Sequence, residues 1–252
     1  MSVDAIKGML RRGLRGLGWE VLRTKNANLE PQILKNILRE AGVSIVLDVG
    51  ANKGQFGDLV FGAGFRGTLI SFEAVPSVHE VLMEHAKSRN PSWVIAPCSA
   101  IGSKRGRIEI NIAGNSVSSS VLPMNNAHLV AAPQSKYVGK ETVDLERLDE
   151  LATRFLPSVG EVLLKVDTQG YELEVLKGAA GLLSRVSAMQ LELSLTPLYD
   201  GAPTFTEMFS FVESIGYELF SLVPSFWDTR SGRLFQVDAF FIRANLRRDQ
   251  HS

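Results

Sequence analysis

Short apolar runs separated by longer stretches of helical period recur along almost the whole chain, and few folds accommodate that alternation. The runs are "SIVLDV" (44–49), "TLISFEA" (68–74), "WVIAPCSA" (93–100), "EVLLKVDT" (161–168) and "AMQLELS" (188–194). Between them lie helix-like segments near 54–64, 77–89, 144–155, 171–184 and 204–215. Nearly continuous apolar strands joined by helices predict a doubly wound α/β fold, a mostly parallel sheet covered on both faces. After residue 216, "YELFSLVPS" and "RLFQVDAFFIRA" are joined by "FWDTRSG" with no helix between them. That pair predicts a C-terminal hairpin whose last strand runs antiparallel to the rest. The stretch 101–143, polar and Ser/Asn-rich around "AGNSVSSSVLPMNN", reads as one long loop, functional or mobile.

Bulk properties narrow the function classes. A chain of 252 residues that is 45% hydrophobic can bury a large core as one main domain. Lys plus Arg equals Asp plus Glu at 27 each, so no global field draws the protein to nucleic acid. The single cysteine, Cys98, excludes an internal disulfide framework and suits a reducing compartment. No apolar run reaches the roughly 18 residues of a membrane span, and the N-terminus lacks a secretion signal's apolar core. The expected location is cytoplasmic.

Chemistry concentrates where the first strand turns. In "DVGANKG" the glycines at 50 and 54 stand four apart, with Asn52 where a dinucleotide fingerprint carries its second glycine. That glycine lets backbone approach a pyrophosphate, so its absence weakens a dinucleotide reading. Asp48 weakens it further, since a carboxylate beside a phosphate cradle is repulsive unless a cation intervenes. S-adenosylmethionine carries an amino group and a sulfonium and has no phosphate. The second strand ends in Glu73, where a carboxylate can accept both ribose hydroxyls of a nucleoside. Asp167 closes the fourth strand, at the end where open α/β sheets bind ligands, and Lys165 shares its face and can pair with it. Glu192 is a carboxylate in an otherwise apolar strand, which calls for a partner, a ligand or a cation. With Asp167 it makes Mg²⁺ a candidate second cofactor through oxygen ligands. Among the scattered histidines, His128 in the polar stretch is a candidate base.

"DVGANKGQFG", "SFEAVPSVHEVL", "LDELA" and "LLKVDTQGYELEVLKGA", in that order and spacing, resemble the FkbM-type methyltransferases over about residues 43–243. The resemblance implies a class I, Rossmann-like, S-adenosylmethionine-dependent fold spanning 41–252 behind an N-terminal helical segment, 1–40. It implies that Asp48, Gly50, Ala51, Asn52 and Gly54 line the methionine part of the cofactor, that Glu73 takes the ribose, and that Ser99 and Ala100 flank the adenine. It also implies O-methylation of a hydroxyl on a sugar, glycolipid or natural product. Asp167 is then the candidate base or orienter, with Lys165 and His128 beside it as catalytic candidates, and "NSVSSSV" (115–121) meets the acceptor. The chain departs from the family pattern at Ala74, Thr168 and Gln169.

Two rivals stay open, an NAD-dependent reductase and a non-catalytic nucleoside-binding module. The reductase lacks a Tyr-x-x-x-Lys pair after a strand, the tyrosines standing at 137, 171, 199 and 217. Residues 1–25 carry six basic side chains against two acids, with apolar residues at three- or four-residue steps. That composition predicts an amphipathic helix that either packs on the core or a second subunit, or docks peripherally on anionic lipid, where a lipid-linked sugar would be met.

Overall fold

The computed structural model describes residues 29–244 and 246. The helix expected over 1–25 therefore lies outside the described residues. Seven strands form the central sheet: β1 (Val43–Val49), β2 (Thr68–Phe72), β3 (Trp93–Ile95), β7 (Glu161–Val166), β8 (Val186–Ser194), β9 (Tyr217–Trp227) and β10 (Leu234–Arg243). Their spatial order is β3-β2-β1-β7-β8-β10-β9. β1 pairs parallel with β2 and with β7, which in turn pairs parallel with β8. β10 runs antiparallel to both β8 and β9, as the hairpin required. It lies inside the sheet, inserted between these two neighbours, and β9 forms the edge.

Helices cover both faces. On one lie α1 (Glu30–Glu40), α2 (Gln55–Gly62) and α3 (Pro76–Arg89). Leu34, Ile37 and Leu38 of α1 pack with Val46, Val60, Leu163, Ala188 and Phe240, so this helix is built into the sheet's own core. On the other face α5 (Leu148–Ala152), α6 (Glu172–Gly178) and α7 (Phe205–Ser214) bury Leu148, Val175, Leu176, Met208 and Val212 against Leu47, Leu164, Leu191 and Phe241. Pro31 and Pro76 start α1 and α3, where a missing N–H costs nothing. A capping box between Thr204 and Glu207 starts α7.

The stretch 101–143 is corrected by the structure. Much of it folds into a second, three-stranded sheet, β4 (Ala100–Ile101), β6 (Tyr137–Glu146) and β5 (Gly106–Ala113), with a short helix α4 (Asn126–Ala131) between β5 and β6. Its strands have a period-2 signal, Ile108-Ile110-Ile112 and Val143-Leu145, diluted by charged outward residues. The inward set packs on Val75, Val78 and Ala100. Accordingly "WVIAPCSA" splits between two sheets, and the helix expected from 144 begins only at Leu148, because β6 runs to Glu146. Among the described residues no helix is long and apolar enough to cross a membrane.

Candidate active site

The register of the sheet sets four polar side chains in one row. Ser71 stands opposite Asp48, Asp48 opposite Lys165, and Lys165 opposite Gln190. All four project to the face of α1 and α2. Lys165 Nζ lies 3.3 Å from Asp48 Oδ1 and 3.4 Å from Asp167 Oδ2. Burial alone would lower the lysine's pKa; Asp167 and Asp48 outweigh it and hold it above the ordinary value, so the ammonium stays charged. Asp48 is fully buried, and its pKa is raised by desolvation against the opposing pull of Lys165. It does not line the cavity, so it underlies the site through Lys165. Asp48 therefore does not by itself bar a phosphate, because Lys165 is the intervening cation.

Above this row lies a cavity of about 450 Å³ at the carboxyl ends of β1, β2 and β7, within the range of small-ligand sites. Gly50, Ala51 and Asn52 form one wall. Gly50 has φ +81°, and an added Cβ would sit 1.9 Å from the Asp167 carbonyl oxygen, so only glycine lets β1 turn against β7. Gly54 departs from its expected place: it has φ +96°, starts α2 and faces Trp93 without lining the cavity. Its absent side chain serves packing.

Glu73, Ser99 and Ala100 lie together at the far end, with Val75 and Ile101. The Glu73 carboxylate accepts from the backbone N–H of Asn52 (2.8 Å), Ala74 (2.9 Å) and Val75 (2.9 Å). A carboxylate offers about four lone-pair positions, so about one is left to accept from a ligand. Glu73→Gln should weaken binding of S-adenosylhomocysteine roughly ten- to hundredfold by calorimetry, since it removes a charged acceptor and sets an amide nitrogen against backbone donors. Unchanged affinity would exclude the ribose contact.

Asp167 and Glu192 approach each other through Gln169, whose amide nitrogen donates to Asp167 Oδ1 (2.8 Å) and Glu192 Oε2 (2.5 Å). Tyr199 donates to the Gln169 carbonyl oxygen at 2.6 Å, which fixes that orientation. Gln169 itself has φ +56°. Asp167 does not cap the following helix, whose N-cap is Tyr171. The arrangement does not fit Mg²⁺: an N–H donor occupies the space between the carboxylates, and among the described residues no three His, Cys, Asp or Glu are grouped to hold a metal ion. Glu192 also accepts from Gln236 (2.8 Å), and burial with Asp167, Asp238 and Glu172 nearby raises its pKa well above normal.

Sequence reasoning missed Gln190 and Asp238, which line the same cavity with Glu30. The sequence shows only that Gln190 and Glu192 alternate onto one face of their strand; the pairing that sets Asp238 opposite Glu192 comes from the sheet order. Gln190 donates to Glu30 at 3.2 Å, and its carbonyl oxygen is buried with no partner. The polar stretch also reaches the site: the Asn52 side-chain amide donates to Ser116 Oγ at 3.3 Å, and Ser120 donates to the backbone carbonyl of Gln169 at 2.8 Å.

A second cavity of about 260 Å³ lies behind Asp167, Gln169 and Glu192, which border both. His128 lines it with Phe226, Ser118 and Gln236. The imidazole is 3% exposed, stands edge-on to Tyr199 at 5.3 Å, and leaves Nδ1 unpartnered. Burial lowers its pKa to about 4, so it is neutral near pH 7.

The mostly parallel doubly wound sheet with its antiparallel C-terminal strand has the fold of the class I S-adenosylmethionine-dependent methyltransferases. Within that class the chain is a member of the methyltransferase FkbM domain family, which it matches over residues 48–219. It is 29% identical over 175 residues to the hexuronic acid methyltransferase AglP of Haloferax volcanii, an alignment covering 69% of this chain and 66% of that one, slightly under two thirds of the relative's length. Among solved structures it resembles the magnesium protoporphyrin IX methyltransferase of Synechocystis PCC 6803 (8% identity, 84% of this chain and 79% of that one, TM-score 0.45). It also resembles an rRNA methylase of Streptococcus thermophilus (8% identity, 88% and 99%, TM-score 0.46).

Proposed function

We propose that the protein transfers the methyl group of S-adenosylmethionine to a hydroxyl oxygen of a sugar, free or carried on a lipid or natural product. The observation that carries this reading is the Asp167–Gln169–Glu192 partition, with a nucleoside-sized cavity on one side and a smaller polar one holding His128 on the other. The family membership supports methyl transfer, and the Haloferax relative's hexuronic acid supports a sugar as acceptor. In this reading adenine lies by Val75, Ser99 and Ala100, the ribose at Glu73, and methionine over Gly50 and Ala51. The C–S bond breaks with its electron pair going to sulfur, and the acceptor oxygen forms the new C–O bond in line. Its proton passes to Asp167 or, through the second cavity, to His128. A sugar hydroxyl is a weak acid, so deprotonation accompanies attack.

The cationic sulfonium is matched by Glu30 and Asp238. Burial, with Asp167 and Glu30 nearby, raises Asp238 to about 7, so it carries charge only as the pH passes that value. Adenosylmethionine should therefore bind roughly three- to tenfold more tightly above pH 7 than below it. Adenosylhomocysteine, whose sulfur is uncharged, should show no such rise, and both curves should be flat in Asp238→Asn. Parallel curves for the two ligands in the wild type would remove Asp238 from the sulfonium, and failure of both to bind, with NADH binding instead, would overturn the proposed function.

A further inference from the structure

Every side chain lining the second cavity is uncharged except Asp167 and Glu192 on the shared partition; no lysine or arginine is among the described residues that form it. Those two carboxylates are already served, Asp167 by Lys165 and Gln169, Glu192 by the amides of Gln169 and Gln236. What remains are amides, a hydroxyl, the Phe226 ring and the unpartnered Nδ1 of a buried imidazole. From this lining we infer that the second cavity takes an uncharged, hydroxyl-bearing ring and rejects one carrying a carboxylate. A uronic acid there would place its charge beside Asp167 with no cation to pair it, and burying an unpaired charge costs more than any hydrogen bond returns. A neutral pyranose suits every group present. Its apolar face can lie on Phe226, and one hydroxyl can pair with the unpartnered His128 Nδ1, donating to it when the ring proton is on Nε2 and accepting from it in the other tautomer.

The inference rests on the proposed function and narrows its acceptor class. Its test is binding to the full chain saturated with S-adenosylhomocysteine, using methyl glycosides of common neutral hexoses and the matching methyl hexuronides, read by saturation-transfer NMR and calorimetry. At least one neutral glycoside should bind, and its hexuronide should bind at least about tenfold more weakly, a gap of about 1.4 kcal/mol. Phe226→Ala should abolish glycoside binding without changing that of adenosylhomocysteine. Gln134→Lys adds a cation at an exposed rim position where folding is not at stake, and should close or reverse the gap. Hexuronide binding equal to or tighter than the neutral sugar's would overturn the inference. So would the absence of neutral binding, or its survival in Phe226→Ala, while adenosylhomocysteine still binds. If adenosylhomocysteine itself does not bind, the proposed function fails instead.

Discussion

Lys165→Met is expected to lower the unfolding free energy by about 3 to 5 kcal/mol, because it leaves Asp48 buried with no counter-charge. For a chain of this size that is a fall of about 6 to 20 °C in Tm. The loss should depend on pH in a definite sense. Burial already raises the Asp48 pKa, and removing the ammonium raises it further. An acid with a raised folded pKa contributes stability below its unfolded value, near 3.8, and loses it as pH rises through the folded one. The deficit of the variant against wild type should therefore be small near pH 4 and grow towards neutrality. Adding Asp48→Asn should restore most of the stability at neutral pH. Denaturant titrations across this range check it, and a deficit independent of pH would show that Lys165 serves as packing against Phe56 rather than as a counter-ion.

Asp167→Asn should reduce methyl transfer by about 10²-fold or more while cofactor affinity changes only a few fold, the scale expected for losing a positioned base or orienter. The variant keeps an oxygen that can accept from Gln169, so the partition between the cavities stays in place. Single-turnover rates with saturating adenosylmethionine separate the two quantities. Normal turnover would reduce Asp167 to a partner of Lys165. The measurement needs an acceptor, so it follows from the binding series on the second cavity.

The parallel strands β1, β2, β7 and β8 were legible because they are largely buried on both faces and read as nearly unbroken apolar runs, and the glycine turn because an added Cβ at Gly50 would meet the Asp167 carbonyl. What escaped were features whose meaning depends on register. Asp48 looked like a ligand contact because sequence places it at a strand end; only pairing with β7 shows Lys165 alongside. Gln190 and Asp238 are unremarkable residues in their own segments, and become part of a site because β10 lies next to β8. Gln169 stood out only as a departure from the family pattern, whereas its amide holds two carboxylates apart and together. The second sheet escaped for another reason: outward Arg, Glu and Lys residues diluted a regular alternation until the stretch looked merely polar.

The insertion of β10 between β8 and β9 has a consequence for how the chain reaches its native state. Among the described residues the strand made last is an interior one, so β9 gains its sheet partner only when residues 234–243 arrive. During synthesis the parallel half from β3 to β8 can assemble first, leaving the β8 edge open, with Glu192 lacking its Gln236 donor. An open edge of that length invites pairing with other chains. Completion of both the sheet and its carboxylate partition thus waits on one late strand, and a chain stopped short of it would be aggregation-prone as well as inactive.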